Sequence, residues 1–122
     1  MEIRRLYELI VLSVPTPTET EHATLVESIA QTIQQNGGTV LYQTTWGKRR
    51  LAYPIQKHRE GWYDLFYVAA YPSQIAPVEQ WLKLHANVLR YMFVRVNRAH
   101  LAVLQKRYNL SLPEGVSVAR PK

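Results

Sequence analysis

A chain of 122 residues with 47% apolar content is long enough for one buried core and too short for two. It has no cysteine, which excludes disulfides, cysteine zinc sites and thiol catalysis. The formal net charge of +6 is uneven: residues 48–60 hold Lys48, Arg49, Arg50, Lys57 and Arg59 against Glu60 alone, and residues 97–122 hold Arg98, Lys106, Arg107, Arg120 and Lys122 against Glu114 alone. Two basic segments on one small domain point to a polyanionic partner.

Residues 6–14 read as a strand that is apolar on both faces, with Tyr7, Leu9 and Val11 on one and Ile10 and Leu12 beside Glu8 on the other. Such a strand belongs in the middle of a sheet. Pro15 and Pro17 end it, and Arg4 and Arg5 precede it at the rim. Thr18 and Glu21 have capping-box spacing, and Leu25, Ile29 and Ile33 then form a helical stripe that Gly37 and Gly38 close. Glu2 and Glu8 bracket the first strand, so the N-terminus does not read as a signal peptide.

Residues 40–53 form a second strand that carries three consecutive cations, Lys48, Arg49 and Arg50. Burying any of them unpaired is costly, so this strand lies at a sheet edge or runs out past the core. Residues 56–61 read as a polar turn, and 63–71 as a third strand with Leu65 and Tyr67 on one face and Trp62, Asp64, Phe66 and Val68 on the other. Ser73 is placed to cap a second helix, with Ile75, Val78 and Leu82 on its stripe and His85 at its end. Residues 91–96 are a fourth strand. Beyond Asn97, Leu101, Val103, Leu104 and Tyr108 form a short helix or an apolar patch, and an extended tail follows from Pro113. No apolar run reaches membrane-span length.

The order βαββαβ predicts a ferredoxin-like α+β sandwich: a four-stranded antiparallel sheet, two helices on one face, and a basic C-terminal extension. The expected division is a domain over residues 1–97 and an extension over 98–122. The helices cover only one face. Ile10, Leu12, Phe66, Val68 and Phe93 are expected on the other, too apolar to stay bare, so either the C-terminal segment or another protein covers it. Arg95 is expected to pair with Glu8 across the sheet or to meet that partner.

The chemistry of catalysis is not visible. His22, His58, His85 and His100 show no metal-ligand spacing with a carboxylate, so neither metal nor cofactor is expected. An acylphosphatase-like enzyme needs a glycine-rich phosphate loop after the first strand, where this chain has Val14-Pro15-Thr16-Pro17-Thr18. An RNA-recognition module stacks bases on two aromatics of its third strand. Here Trp62 is available but Asp64 stands at the second position. RNA contact then falls to the rim: Arg4, Arg5, Lys48, Arg49, Arg50, Lys57, Arg59, Arg90 and the tail. A module that reads RNA with its sheet face is the alternative.

Three segments resemble the bacterial-type small-subunit ribosomal protein six family: Arg5-Leu6-Tyr7-Glu8, the string Gly47-Lys48-Arg49-Arg50-Leu51-Ala52-Tyr53-Pro54-Ile55 with Lys57, and Asn87-Val88-Leu89-Arg90-Tyr91-Met92. The likeness covers about residues 4–97. It implies a structural protein, not a catalyst, that binds the central domain of small-subunit rRNA as a heterodimer with ribosomal protein eighteen. It also implies that Arg5, Arg49, Arg50, Lys57 and Arg90 stand at basic positions near RNA or partner, and it offers the partner as cover for the open face. Leu89 departs from the family, which often has a basic residue there, and the tail from Asn97 follows no family pattern. Through the tail, other small-subunit proteins are possible partners; the setting is a ribosome in a bacterial cytoplasm or an organelle.

Overall fold

The computed structural model describes residues 2–15 and 18–118; Pro17 and the tail cations Arg120 and Lys122 lie outside them. The elements are β1 (Arg4–Ser13), α1 (Glu19–Gln35), β2 (Thr39–Ile55), β3 (His58–Ala70), α2 (Ile75–Leu84), β4 (Val88–Arg95), α3 (Arg98–Tyr108) and β5 (Val116–Ser117). The sheet order is β2-β3-β1-β4, all antiparallel, with β1 and β3 in the middle as their two-sided apolarity requires. This is the expected ferredoxin-like sandwich.

Helix α1 begins where Thr18 accepts a hydrogen bond from the Glu21 N–H at 3.2 Å, and it ends at Asn36 before Gly37 turns left-handed. Ser73 does not cap α2. It sits in a short 3-10 turn, Pro72–Gln74, and donates from its N–H and Oγ to the Glu2 carboxylate. The third strand starts earlier than expected, at His58, because the turn before it needs only Gln56 and Lys57.

Cross-strand register decides which faces join. Leu9 lies opposite both Phe66 and Phe93, and Tyr7 opposite Val68. Paired residues share a face, so Phe66, Val68 and Phe93 belong with Tyr7, Leu9 and Val11 against the helices. There they meet Leu25, Ile29, Ile33, Ile75, Val78 and Leu82 in the main core, with Phe66 fully buried. Their expected place on the open face is corrected. Alternation is legible within one strand, but the phase between strands is set by pairing.

The other face carries Leu6, Glu8, Ile10 and Leu12 with Leu65, Tyr67, Met92 and Val94. The C-terminal segment covers one end of it. Leu101, Leu104, Tyr108 and Leu110 pack on Leu6, Leu65 and Tyr67 as a second core, and Tyr108 stacks on Tyr42 at 4.5 Å. Strand β5 then pairs in parallel with Arg4 and Arg5, on the side that β4 has vacated. Glu8 accepts a hydrogen bond from the Tyr67 hydroxyl at 2.8 Å and lies 3.1 Å from His100 Nε2. Burial first, then this carboxylate, raises the Tyr67 pKa. Arg95 takes no part: it lies opposite Tyr7 and so leaves by the helix side, which corrects the expected Glu8 pair.

Gly61 lies at a close approach between β3 and the end of β1. A Cβ there would stand 2.6 Å from Leu12 Cδ1 and 2.7 Å from the Ser13 carbonyl oxygen. The backbone oxygen cannot swing aside. Gly61→Ala is expected to lower stability by roughly 1–3 kcal/mol, seen as a lower urea midpoint with an unchanged slope.

Candidate nucleic-acid and partner interface

The basic run sits on an arm. Ser13 is the last β1 residue to pair with β3, opposite Trp62, so residues 58–61 of β3 pair only with β2. A bulge at Gly47, whose φ is +87°, turns β2 as it leaves the sheet. Lys48, Arg49 and Arg50 follow opposite Trp62, Gly61 and Glu60. Pairing lapses between Arg50 and Ile55, where Pro54 has no N–H to give. The tip is a two-residue turn with both Gln56 (φ 48°) and Lys57 (φ 71°) left-handed, the geometry that matches hairpin twist.

A stack that runs from exposed Lys48 to buried Asp64 braces the arm's root. Lys48 Nζ stands 5.5 Å from the Trp62 ring centroid, and Trp62 lies parallel on His22 with centroids 4.0 Å apart. His22 Nε2 hydrogen-bonds Asp64 Oδ2 at 2.7 Å, with Asp64 only 3% exposed. Trp62 and Asp64 thus lie on the helix side of the sheet. The reading in which Trp62 stacks bases on the open face is thereby corrected. Asp64 stands where it does because a carboxylate can be buried when a histidine meets it.

Two further contacts orient the arm. Arg49 Nε donates to the Trp46 carbonyl at 3.1 Å. Arg90, on β4, donates to the Tyr53 hydroxyl at 3.2 Å with its guanidinium 5.7 Å from that ring. Between arm and sheet lies an open cleft of about 440 Å³, lined by Ile10, Leu12, Leu51, Tyr53, Tyr63 and Met92. Met92 is 53% and Tyr53 57% exposed. This cleft is the part of the open face that α3 leaves bare.

The sequence-predicted cations therefore fall into two groups. Lys48, Arg49, Arg50, Lys57, Arg59 and Arg90 gather on or against the arm. Arg4 and Arg5 lie at the opposite end of β1, about 26 Å away at 3.3 Å per residue. There Arg4 donates to Thr39 Oγ1 at 3.0 Å, and Arg5 is half-buried. Of the expected partner-face residues, Ile10 and Leu12 line the cleft; Phe66, Val68, Phe93 and Arg95 do not. Tyr53 and Met92 were missed. Their signal was present, since Met92 alternates with the half-buried Phe93 and Tyr53 follows the cation run.

The geometry is that of a small ferredoxin-like domain that holds exposed cations on an arm, the electrostatic form of a binder of polyanions. The comparisons with known proteins carry this further. The family model for ribosomal protein S6 matches residues 6–95. The small ribosomal subunit protein bS6 of Dictyoglomus turgidum is 39% identical over 94 residues, 77% of this chain and 97% of that protein. The protein of the same name from Rhodococcus opacus is 37% identical over 77% of this chain and 99% of its own length. The crystal structure of 30S ribosomal protein S6 from Thermotoga maritima shares the fold, with a TM-score of 0.74 and 24% identity over 87% of this chain and 98% of that one. The chain belongs to the ribosomal protein S6 family, and it is a structural constituent of the small ribosomal subunit. The family is one of structural proteins, not enzymes.

Burial raises the Asp64 pKa above its ordinary 3.8, against the opposing pull of His22. The folded state holds this proton more tightly than the unfolded chain. The group's contribution to stability is therefore fully present below 3.8 and lost as pH rises through the raised folded value. In Asp64→Asn that loss disappears. The variant's stability relative to the parent is expected to climb with pH from about 3.8 upward, read by urea unfolding below the histidine range of about 6.5. A flat difference would remove Asp64 as the source.

Proposed function

We propose that the chain binds the central domain of small-subunit rRNA through its arm, as a heterodimer with ribosomal protein eighteen, in a bacterial-type ribosome. One observation carries this reading. Arg49, Arg50, Lys57 and Arg59 stand exposed on a two-stranded arm beyond the sheet, and none is paired with a carboxylate among the described residues. Arg50 faces Glu60 in register without an ion pair. Holding four like charges on one thin arm lowers stability unless something outside neutralises them. Guanidinium forks fit phosphate oxygens, and Lys57 at the tip adds a point charge. Such contacts set position and affinity rather than read bases, so shape supplies the specificity.

The partner is assigned to the cleft. Ile10, Leu12, Tyr53 and Met92 offer an apolar centre, and Arg90 and the arm form a polar rim, the usual anatomy of a protein interface. Phe66 and Val68 are buried under the helices and are not part of this proposal.

Arg49→Ala with Arg50→Ala is expected to fold as the parent does and to bind a central-domain rRNA fragment more weakly, with the slope of log affinity against log salt smaller by about 2. Unchanged binding would make the arm a solvated edge only. Met92→Glu places a charge in the cleft. It is expected to reduce heterodimer formation with ribosomal protein eighteen at least tenfold in a pull-down titration while leaving the thermal midpoint unchanged, since Met92 is already half in water.

A further inference from the structure

The family match ends at residue 95, and 94 residues of this chain span the two bS6 relatives almost whole. Residues 97–118, the described part of what lies beyond that match, do not form a loose tail. The Asn97 side chain caps α3 by accepting from the His100 N–H at 2.9 Å. Leu101, Leu104 and Tyr108 anchor its underside to the sheet, and β5 ties the chain back to Arg4 and Arg5. The outer side of α3 is consequently held in one orientation.

The exposed side of α3 carries Lys106 at its crest with Arg98 and Arg107 on opposite flanks, the Arg107 guanidinium 6.0 Å from the Tyr108 ring, and α3 contains no acidic residue. Arg98 and Lys106 are separated by about 12 Å along the axis. Helix stability accounts for Lys106 and Arg107, which sit in the last turn where the helix dipole favours cations. It does not account for Arg98, in the first turn, where the dipole disfavours a cation. No carboxylate pairs with Arg95, Arg98, Lys106 or Arg107 among the described residues. Arg95 ends β4 at the same end of the sheet but leaves by the helix side, so the surface on α3 consists of Arg98, Lys106 and Arg107 alone. A second unneutralised cationic surface thus stands at the end of the molecule opposite the arm.

We propose that the exposed side of α3 is a phosphate-contacting surface for small-subunit rRNA, separate from the arm. The proposal rests on membership of a ribosomal family and not on the role of the arm. Arg98 and Arg107 would each take two phosphate oxygens, and Lys106 would add a point charge between them. Because the helix is already docked, binding costs little of the ordering entropy that a disordered basic tail would lose.

The test uses the full chain and deproteinised small-subunit rRNA over a range of salt. The triple variant Arg98→Gln, Lys106→Gln, Arg107→Gln leaves Leu101, Leu104 and Tyr108 in place, and its helix content and urea midpoint are expected to match the parent. Its salt slope is expected to fall by about 2 to 3, with affinity at low salt at least tenfold lower. Arg49→Ala with Arg50→Ala, measured alongside, separates the surfaces: loss in the triple variant alone supports α3 and removes the arm. Loss in the arm variant alone overturns the α3 proposal and leaves the arm standing. A triple variant that keeps the parent slope but loses an acidic protein during subunit reconstitution would make α3 a protein-docking surface, and failure of the parent to bind this RNA would overturn both assignments.

Discussion

Strand β1 is apolar on both faces, and the molecule is arranged around covering both. Tyr7, Leu9 and Val11 need one layer; Leu6, Ile10 and Leu12 need another. Each buried Leu or Val side chain contributes on the order of 1.5–3 kcal/mol when removed from water, so neither face can be left open along its whole length. Helices α1 and α2 satisfy the first requirement. The second is met unevenly: α3 and the segment after it take the end near Leu6, the arm overhangs the end near Leu12, and a cleft remains between arm and sheet. The uncovered strip is what remains of a general demand, and it coincides with the place assigned to a partner protein.

The arm follows from the opposite constraint. Consecutive cations cannot be buried without partners, so the strand that carries them must leave the sheet. Once it does, only the neighbouring strand supports it, and an isolated two-stranded hairpin is marginal in water. The Lys48, Trp62, His22 and Asp64 stack and the Arg90–Tyr53 contact supply the missing support from either side. Charge presentation and mechanical bracing are therefore interleaved along the same few residues.

Much of this was legible from the chain. Element order, the central place of the first and third strands, the α1 cap at Thr18 and the projecting cation run all follow from local rules. What was not legible depends on pairing between distant segments. Phe66 and Val68 alternate correctly within their strand, yet their face is decided by Leu9 and Tyr7 some sixty residues earlier in the chain. The burial of Asp64 was not legible because its partner, His22, is on a helix 42 positions away. The cationic set read as one rim because a linear sequence does not say that Arg5 and Arg49 lie toward opposite ends of the sheet.

The pairing of β5 with the start of β1 has a consequence for the order of folding. It joins residues 116–117 to residues 4–5, nearly the full span of the chain. Loop closure over that span is paid for only once the sheet exists to receive it, so α3 and β5 dock last. During synthesis at roughly 5–20 residues per second, the face bearing Leu6, Leu65 and Tyr67 stays bare for seconds after the four-stranded sheet is complete. In that interval the nascent chain presents its whole open face, a transient adhesive surface that the finished protein keeps only in part.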